Sequence, residues 1–119
     1  VAKIDHTFSM AETPEQAQAM FVRDIGSELH RAGEFVLCKE DAGRLVYSDG
    51  IVDPIAFAGR DSGDYAMLRK LTAHLITVAF SAELTGTTVS VSGHAERDIR
   101  EAISRLGGPG HWPAIARVV

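Results

Sequence analysis

Residues 74–92, HLITVAFSAELTGTTVSVS, decide the fold. His74, Ile76, Val78, Phe80 and Ala82 alternate with Leu75, Thr77, Ala79, Ser81 and Glu83. A period of two places one set on each face of a β-strand. Thr85-Gly86 is a turn signal, after which Val89 and Val91 share one face and Thr88, Ser90 and Ser92 the other. The stretch predicts an antiparallel hairpin with one apolar face, and that face needs a cover.

The cover is legible on both sides. Downstream, Ile99, Ala102, Ile103 and Leu106 recur at helical spacing, with Glu96 and Asp98 expected in the first turn and Arg105 in the last. Gly107 and Gly108 stop this helix and Pro109 prevents its resumption. Trp112, Ile115, Val118 and Val119 predict a tail that docks back on the domain. Upstream, Ala2–Met10 alternates, with Ile4, His6, Phe8 and Met10 opposite Lys3, Asp5, Thr7 and Ser9. Thr13 is a good N-cap, Pro14 suits the first helical position, and Gln16 completes a capping-box spacing. Ala17, Met20, Phe21, Ile25 and Leu29 carry the helical stripe, with Asp24 or Gly26 as a break into two helices and Gly33 as the stop. Residues 34–39 and Arg44–Ser48 read as two strands joined by Glu40-Asp41-Ala42-Gly43. Residues 51–58 read as a further strand, confined to an edge or bulge by Pro54. Residues 59–65 read as a polar loop, and residues 66–73 fit helix or strand equally.

Whole-chain properties exclude several classes. The 119 residues suit one α+β domain, 1–119, without repeats or linkers. The net charge of −4 argues against nucleic acid, since Arg97, Arg100 and Arg105 are interleaved with Glu96, Asp98 and Glu101. The longest near-apolar run, 75–84, is interrupted by Thr77, Ser81 and Glu83, so no membrane span is expected. One cysteine, Cys38, allows no internal disulfide, and with no signal-like start the expected location is cytoplasmic.

No complete catalytic motif is present. The nucleophile elbow, the P-loop and the dinucleotide fingerprint are all missing. The five histidines form no i,i+3 or i,i+4 pair, so neither a metal site nor a cofactor is expected. His6 and His74 share the alternation class of apolar neighbours and are therefore read as inward-facing. Such an imidazole serves either as a general acid/base or as a satisfied core group. Tyr65, beside Asp61 and Asp64 in the polar loop, is a third catalytic candidate on a lid. Cys38 has no basic neighbour and reads as an inert packed thiol.

Three features together carry a family likeness. They are the Thr13-Pro14-Glu15 helix start after an alternating strand, the hairpin Glu83-Leu84-Thr85-Gly86-Thr87-Thr88-Val89, and the final helix after Gly93. In element order the chain resembles a shortened member of the START / Bet v 1-like (SRPBCC, polyketide cyclase-like) superfamily. The resemblance implies a helix-grip arrangement, with a curved antiparallel β-sheet of about six strands, an early helix pair and a C-terminal helix packed across the sheet. It also implies non-covalent binding of a hydrophobic small molecule or lipid between sheet and last helix. Phe8, Ile76, Val78, Phe80, Val89, Val91, Ile99, Ala102, Ile103 and Leu106 would line that site. Two alternatives accompany it. One is a cyclase- or dehydratase-type enzyme using His6, His74 or Tyr65. The other is a protein-interaction module with a filled core, whose contact surface is the tail around Trp112 and Pro113.

Overall fold

A computed structural model describes residues 2–49 and 74–107. The expected strand at 51–58, the ambiguous stretch 66–73, Tyr65 and the Trp112 tail lie outside these residues.

The elements run β1 (Ala2–Met10), α1 (Pro14–Met20), a π-helical segment (Phe21–Gly26), α2 (Ser27–Gly33), β2 (Val36–Asp41), β3 (Arg44–Ser48), β4 (Leu75–Glu83), β5 (Gly86–Ala95) and α3 (Arg97–Ile103). Among the described residues, five strands form one open antiparallel sheet in the order β1-β5-β4-β3-β2. Its register aligns the apolar positions in rows. Phe8 pairs with Val89 and Val89 with Phe80, while His6, Val91, Val78 and Leu45 form the next row. Ile4, Gly93, Ile76, Tyr47 and Leu37 form a third.

Burial follows the alternation. On β1, Ile4, Phe8 and Met10 are buried while Lys3, Asp5, Thr7 and Ser9 are exposed. The apolar residues of β4 and β5 join Ala17, Phe21, Ile25 and Leu29 of the helix pair, and Ile99, Ala102, Ile103 and Leu106 at the C-terminal end, in one core cluster. The helix pair and α3 therefore cover the same face of the sheet. Among the described residues, no helix is long and apolar enough to cross a membrane.

The first helix starts as its sequence dictates. The Thr13 hydroxyl accepts from the Gln16 amide at 3.3 Å and the Gln16 side chain accepts from the Thr13 amide at 3.2 Å. The break expected at Asp24 or Gly26 is a π-helical turn that keeps the chain helical throughout. Such single-turn widenings are common at functional sites.

Five local expectations are corrected. The stop of α2 is not Gly33 in a left-handed conformation but Glu34, at φ 60°. The Glu34 amide bonds the His30 carbonyl and the Phe35 amide the Leu29 carbonyl, so both residues are consumed in closing the helix. The strand consequently begins at Val36 rather than at position 34. Its turn is also tighter than expected, because Asp41 pairs with Arg44 and leaves only Ala42-Gly43, with Gly43 at φ 82°. In the late hairpin the turn is Leu84-Thr85, and Gly86 already pairs with Glu83. Gly86 is required because the Met10 carbonyl occupies the place a side chain would take. Finally, Glu96 is the N-cap of α3 and Arg105 lies beyond its end. The Arg105 and Leu106 amides reach only three residues back, to Ala102 and Ile103, which tightens the exit and brings Leu106 into the core.

Candidate functional site

The two histidines read as inward-facing do different work, at different places. His6 sits mid-strand, half-buried, with its ring stacked on Phe8 at 5.6 Å between centroids. Its Nε2 lies 2.6 Å from the Leu106 carbonyl, so that nitrogen must carry the proton and donate. The bond ties β1 to the exit of α3. Beside it, Lys3, Asp5, Arg100 and Ser104 complete a shallow groove of about 270 Å³.

His74 immediately precedes β4, and its side chain is 10% exposed. Asp49, just past the end of β3, receives two bonds from it. Asp49 Oδ1 accepts from the His74 amide at 2.9 Å, and Oδ2 is bonded to the ring Nδ1. With Nδ1–H donating to the carboxylate, Nε2 carries the lone pair. That Nε2 is buried and, among the described residues, has no hydrogen-bond partner. Glu96 Oε1 lies 3.6 Å from it. His6 and His74 are thus not brought together into one constellation. Among the described residues, no group of three His, Cys, Asp or Glu side chains could hold a metal ion. Burial pushes the Cys38 thiol up from its ordinary value, which suppresses the reactive thiolate.

The ten residues expected to line a ligand site between sheet and last helix are all buried in one contiguous core. Phe21 helps to fill it from the helix pair. Its ring meets Phe80 edge-on at 5.9 Å and Tyr47 at 6.1 Å.

An opening of ligand size lies one step away. The π-helical segment and the start of α2 do not close fully over the β2–β3 edge of the sheet, leaving an open groove of about 380 Å³. Val22, Phe35, Val36 and Leu37 give it apolar walls, Ser27 and His30 line its helix side, and Gly26 and Tyr47 line the rest. Pockets that bind small molecules usually span about 300–1,000 Å³.

Tyr47 is the chemically unusual member. Its row in the sheet points it at the helices, and it is 2% exposed. Its hydroxyl is buried and, among the described residues, has no hydrogen-bond partner. Such groups are uncommon, since buried polar atoms are nearly always paired. Burial, reinforced by the nearby Glu40 charge, raises its pKa well above the ordinary tyrosine value. The group is therefore a neutral phenol across the physiological range. Sequence reasoning passed over Tyr47 as an ordinary strand residue. The available signal was a lone tyrosine in the inward class of a short strand, together with a glycine inside a helical stripe.

No protein-family model matches the sequence, no curated protein is significantly similar to it, and no solved structure matches it significantly. Any functional reading rests on the residues and their geometry.

Proposed function

We propose that the chain is a shortened helix-grip domain of the START / Bet v 1-like type that binds a hydrophobic small molecule without transforming it. The observation that carries this reading is the groove of about 380 Å³ between the helix pair and the β2–β3 edge. Its size and apolar walls suit a small ligand. The element order supports it, with an antiparallel sheet that bears an early helix pair and a final helix on one face. The ligand position differs from the one the family likeness implies, because the space beneath α3 is occupied by packed side chains.

Native mass spectrometry of protein purified from its source tests the reading. A co-purifying apolar molecule, displaced when a hydrophobic dye binds, is the expected result. Protein that carries no such molecule and fails to bind the dye while folded overturns it.

One observation favours a second reading, a cyclase- or dehydratase-type enzyme. His74 is oriented by Asp49 and presents a buried, unpartnered Nε2, the arrangement of a positioned general base. If the co-purified molecule is recovered unchanged after long incubation, and His74→Gln binds it as the parent does, this second reading fails.

A further inference from the structure

We propose that the groove beside the π-helical segment takes a neutral, largely apolar molecule carrying one hydrogen-bond acceptor, a ketone, ester or ether oxygen, and that the Tyr47 hydroxyl is the donor that receives it. This rests on the binding reading above and specifies its site and ligand class.

Tyr47 lines the groove, and its hydroxyl lies just behind the wall, beside Gly26. The hydroxyl is buried and, among the described residues, has no hydrogen-bond partner, a state that a ligand acceptor would relieve. A phenol held in its protonated form by burial offers a donor, not a negative charge. The other polar groups of the groove do not compete for the same role. Ser27 Oγ already donates to the Arg23 carbonyl at 2.7 Å, and His30 sits exposed at the rim. The remaining walls are Val22, Phe35, Val36 and Leu37, so among the described residues the lining holds no carboxylate, lysine or arginine to balance an ionic head group.

Gly26 marks the approach to the oxygen. A Cβ there would stand 2.6 Å from the Tyr47 hydroxyl, so the missing side chain leaves backbone alone over the donor. The π-helical turn that ends at Gly26 widens the helix at this point. An acceptor comes in along that side, with a small outward shift of the turn, while the apolar body lies against Phe35 and Leu37.

The test uses three matched probes, 2-decanone, decane and decanoate, with amide NMR of the whole chain. The expected result is saturable binding of the ketone, with shifts centred on Gly26, Ser27 and Leu37, weaker binding of decane, and weakest binding of decanoate. Tyr47→Phe removes only the buried oxygen and should weaken the ketone about tenfold while leaving decane unchanged. Val36→Trp, at the exposed edge of the groove, should weaken ketone and decane alike. Equal ketone and decane affinity, indifference to Tyr47→Phe, or tightest binding of decanoate overturns the proposal. Shifts that map elsewhere overturn it while leaving the binding reading intact. If no probe binds and no ligand co-purifies, both fall.

Discussion

The hydroxyl oxygen of Tyr47 rests directly on the backbone of Gly26, where a Cβ would stand 2.6 Å from it and 3.3 Å from Cε1 and Cζ of the same ring. Gly26 has ordinary helical angles, φ −59° and ψ −41°, so helix propensity alone favours Gly26→Ala by about 0.5–1 kcal/mol. The overlap with the phenol reverses that sign. Gly26→Ala should destabilise the fold by about 1–3 kcal/mol, the usual cost of over-packing, in equilibrium urea unfolding. In a Tyr47→Phe background the nearest atom is gone while the two ring carbons stay at 3.3 Å, and the same substitution should cost clearly less. A Gly26→Ala variant more stable than the parent would show that the two residues do not touch in this way.

Gly93 illustrates a harder constraint. It lies in the row between Ile4 and Ile76, at φ 135°, and a Cβ there would collide with the carbonyl oxygen of Leu75. The obstacle is backbone in the middle of the sheet, so no side-chain rotation relieves it. Gly93→Ala should cost more than about 4 kcal/mol, in the exceptional range for one substitution. Soluble yield and circular dichroism check this, and a folded Gly93→Ala protein of near-parent stability would contradict the register.

Such contacts explain where the sequence is readable and where it is not. The alternation of Ile76, Val78 and Phe80, the Thr13–Gln16 capping box and the Ile99–Ile103 stripe are local patterns, and each appears where its period places it. The left-handed Glu34 is not legible, because nothing in its identity asks for φ 60°; the closure onto Leu29 and His30 imposes it. Gly86 reads as a turn residue, yet it opens a strand because the Met10 carbonyl passes beside it. The site is hidden for the same reason. Tyr47 gains its significance from Gly26, and His74 from Asp49, and neither pairing leaves a spacing that a motif could capture.

Asp49 clips the end of β3 to the start of β4. It accepts from both the His74 amide and the His74 ring, next to the final Ser48–Leu75 pair of the ladder. Asp49→Ala should destabilise the protein by about 2–3 kcal/mol, since hydrogen bonds to a charged group are among the stronger ones. It should also speed hydrogen exchange at the His74 amide. Asp49→Asn can retain an acceptor for that amide and should lose roughly half as much by the same reasoning. Unchanged exchange at His74 in Asp49→Ala would show that the clip is idle.

Gln18 holds the tip of the β2–β3 hairpin with both ends of its amide. Its Nε2 donates to the Asp41 carbonyl at 2.8 Å, and its Oε1 accepts from the Gly43 amide at 2.8 Å. Gln18→Leu should cost about 1–2 kcal/mol and expose the Gly43 amide to exchange. Gln18→Glu preserves the acceptor for Gly43 but sets a carboxylate against the Asp41 carbonyl and beside Glu15 and Glu40. It should therefore be worse than Gln18→Leu at neutral pH and recover in acid. Equal stabilities at all pH values would refute the two-ended contact.

The buried phenol also has a signature in alkali. Burial keeps Tyr47 protonated in the folded chain to a pH above the ordinary tyrosine value of about 10. In the unfolded chain it ionises near that value. Above about pH 10 the unfolded state therefore holds fewer protons than the folded state, and stability falls as pH rises. One such group contributes a slope of up to about 1.4 kcal/mol per pH unit. Cys38, also raised by burial, adds a component of the same sign that begins at lower pH. The contribution of Tyr47 is thus the difference between the parent and Tyr47→Phe. In urea unfolding from pH 8 to 11, the two curves should run parallel below about pH 10 and differ in slope above it, with the parent falling faster. Parallel curves throughout would mean that the Tyr47 hydroxyl already has a partner or a path to solvent, and the donor assigned to the groove would be lost with it.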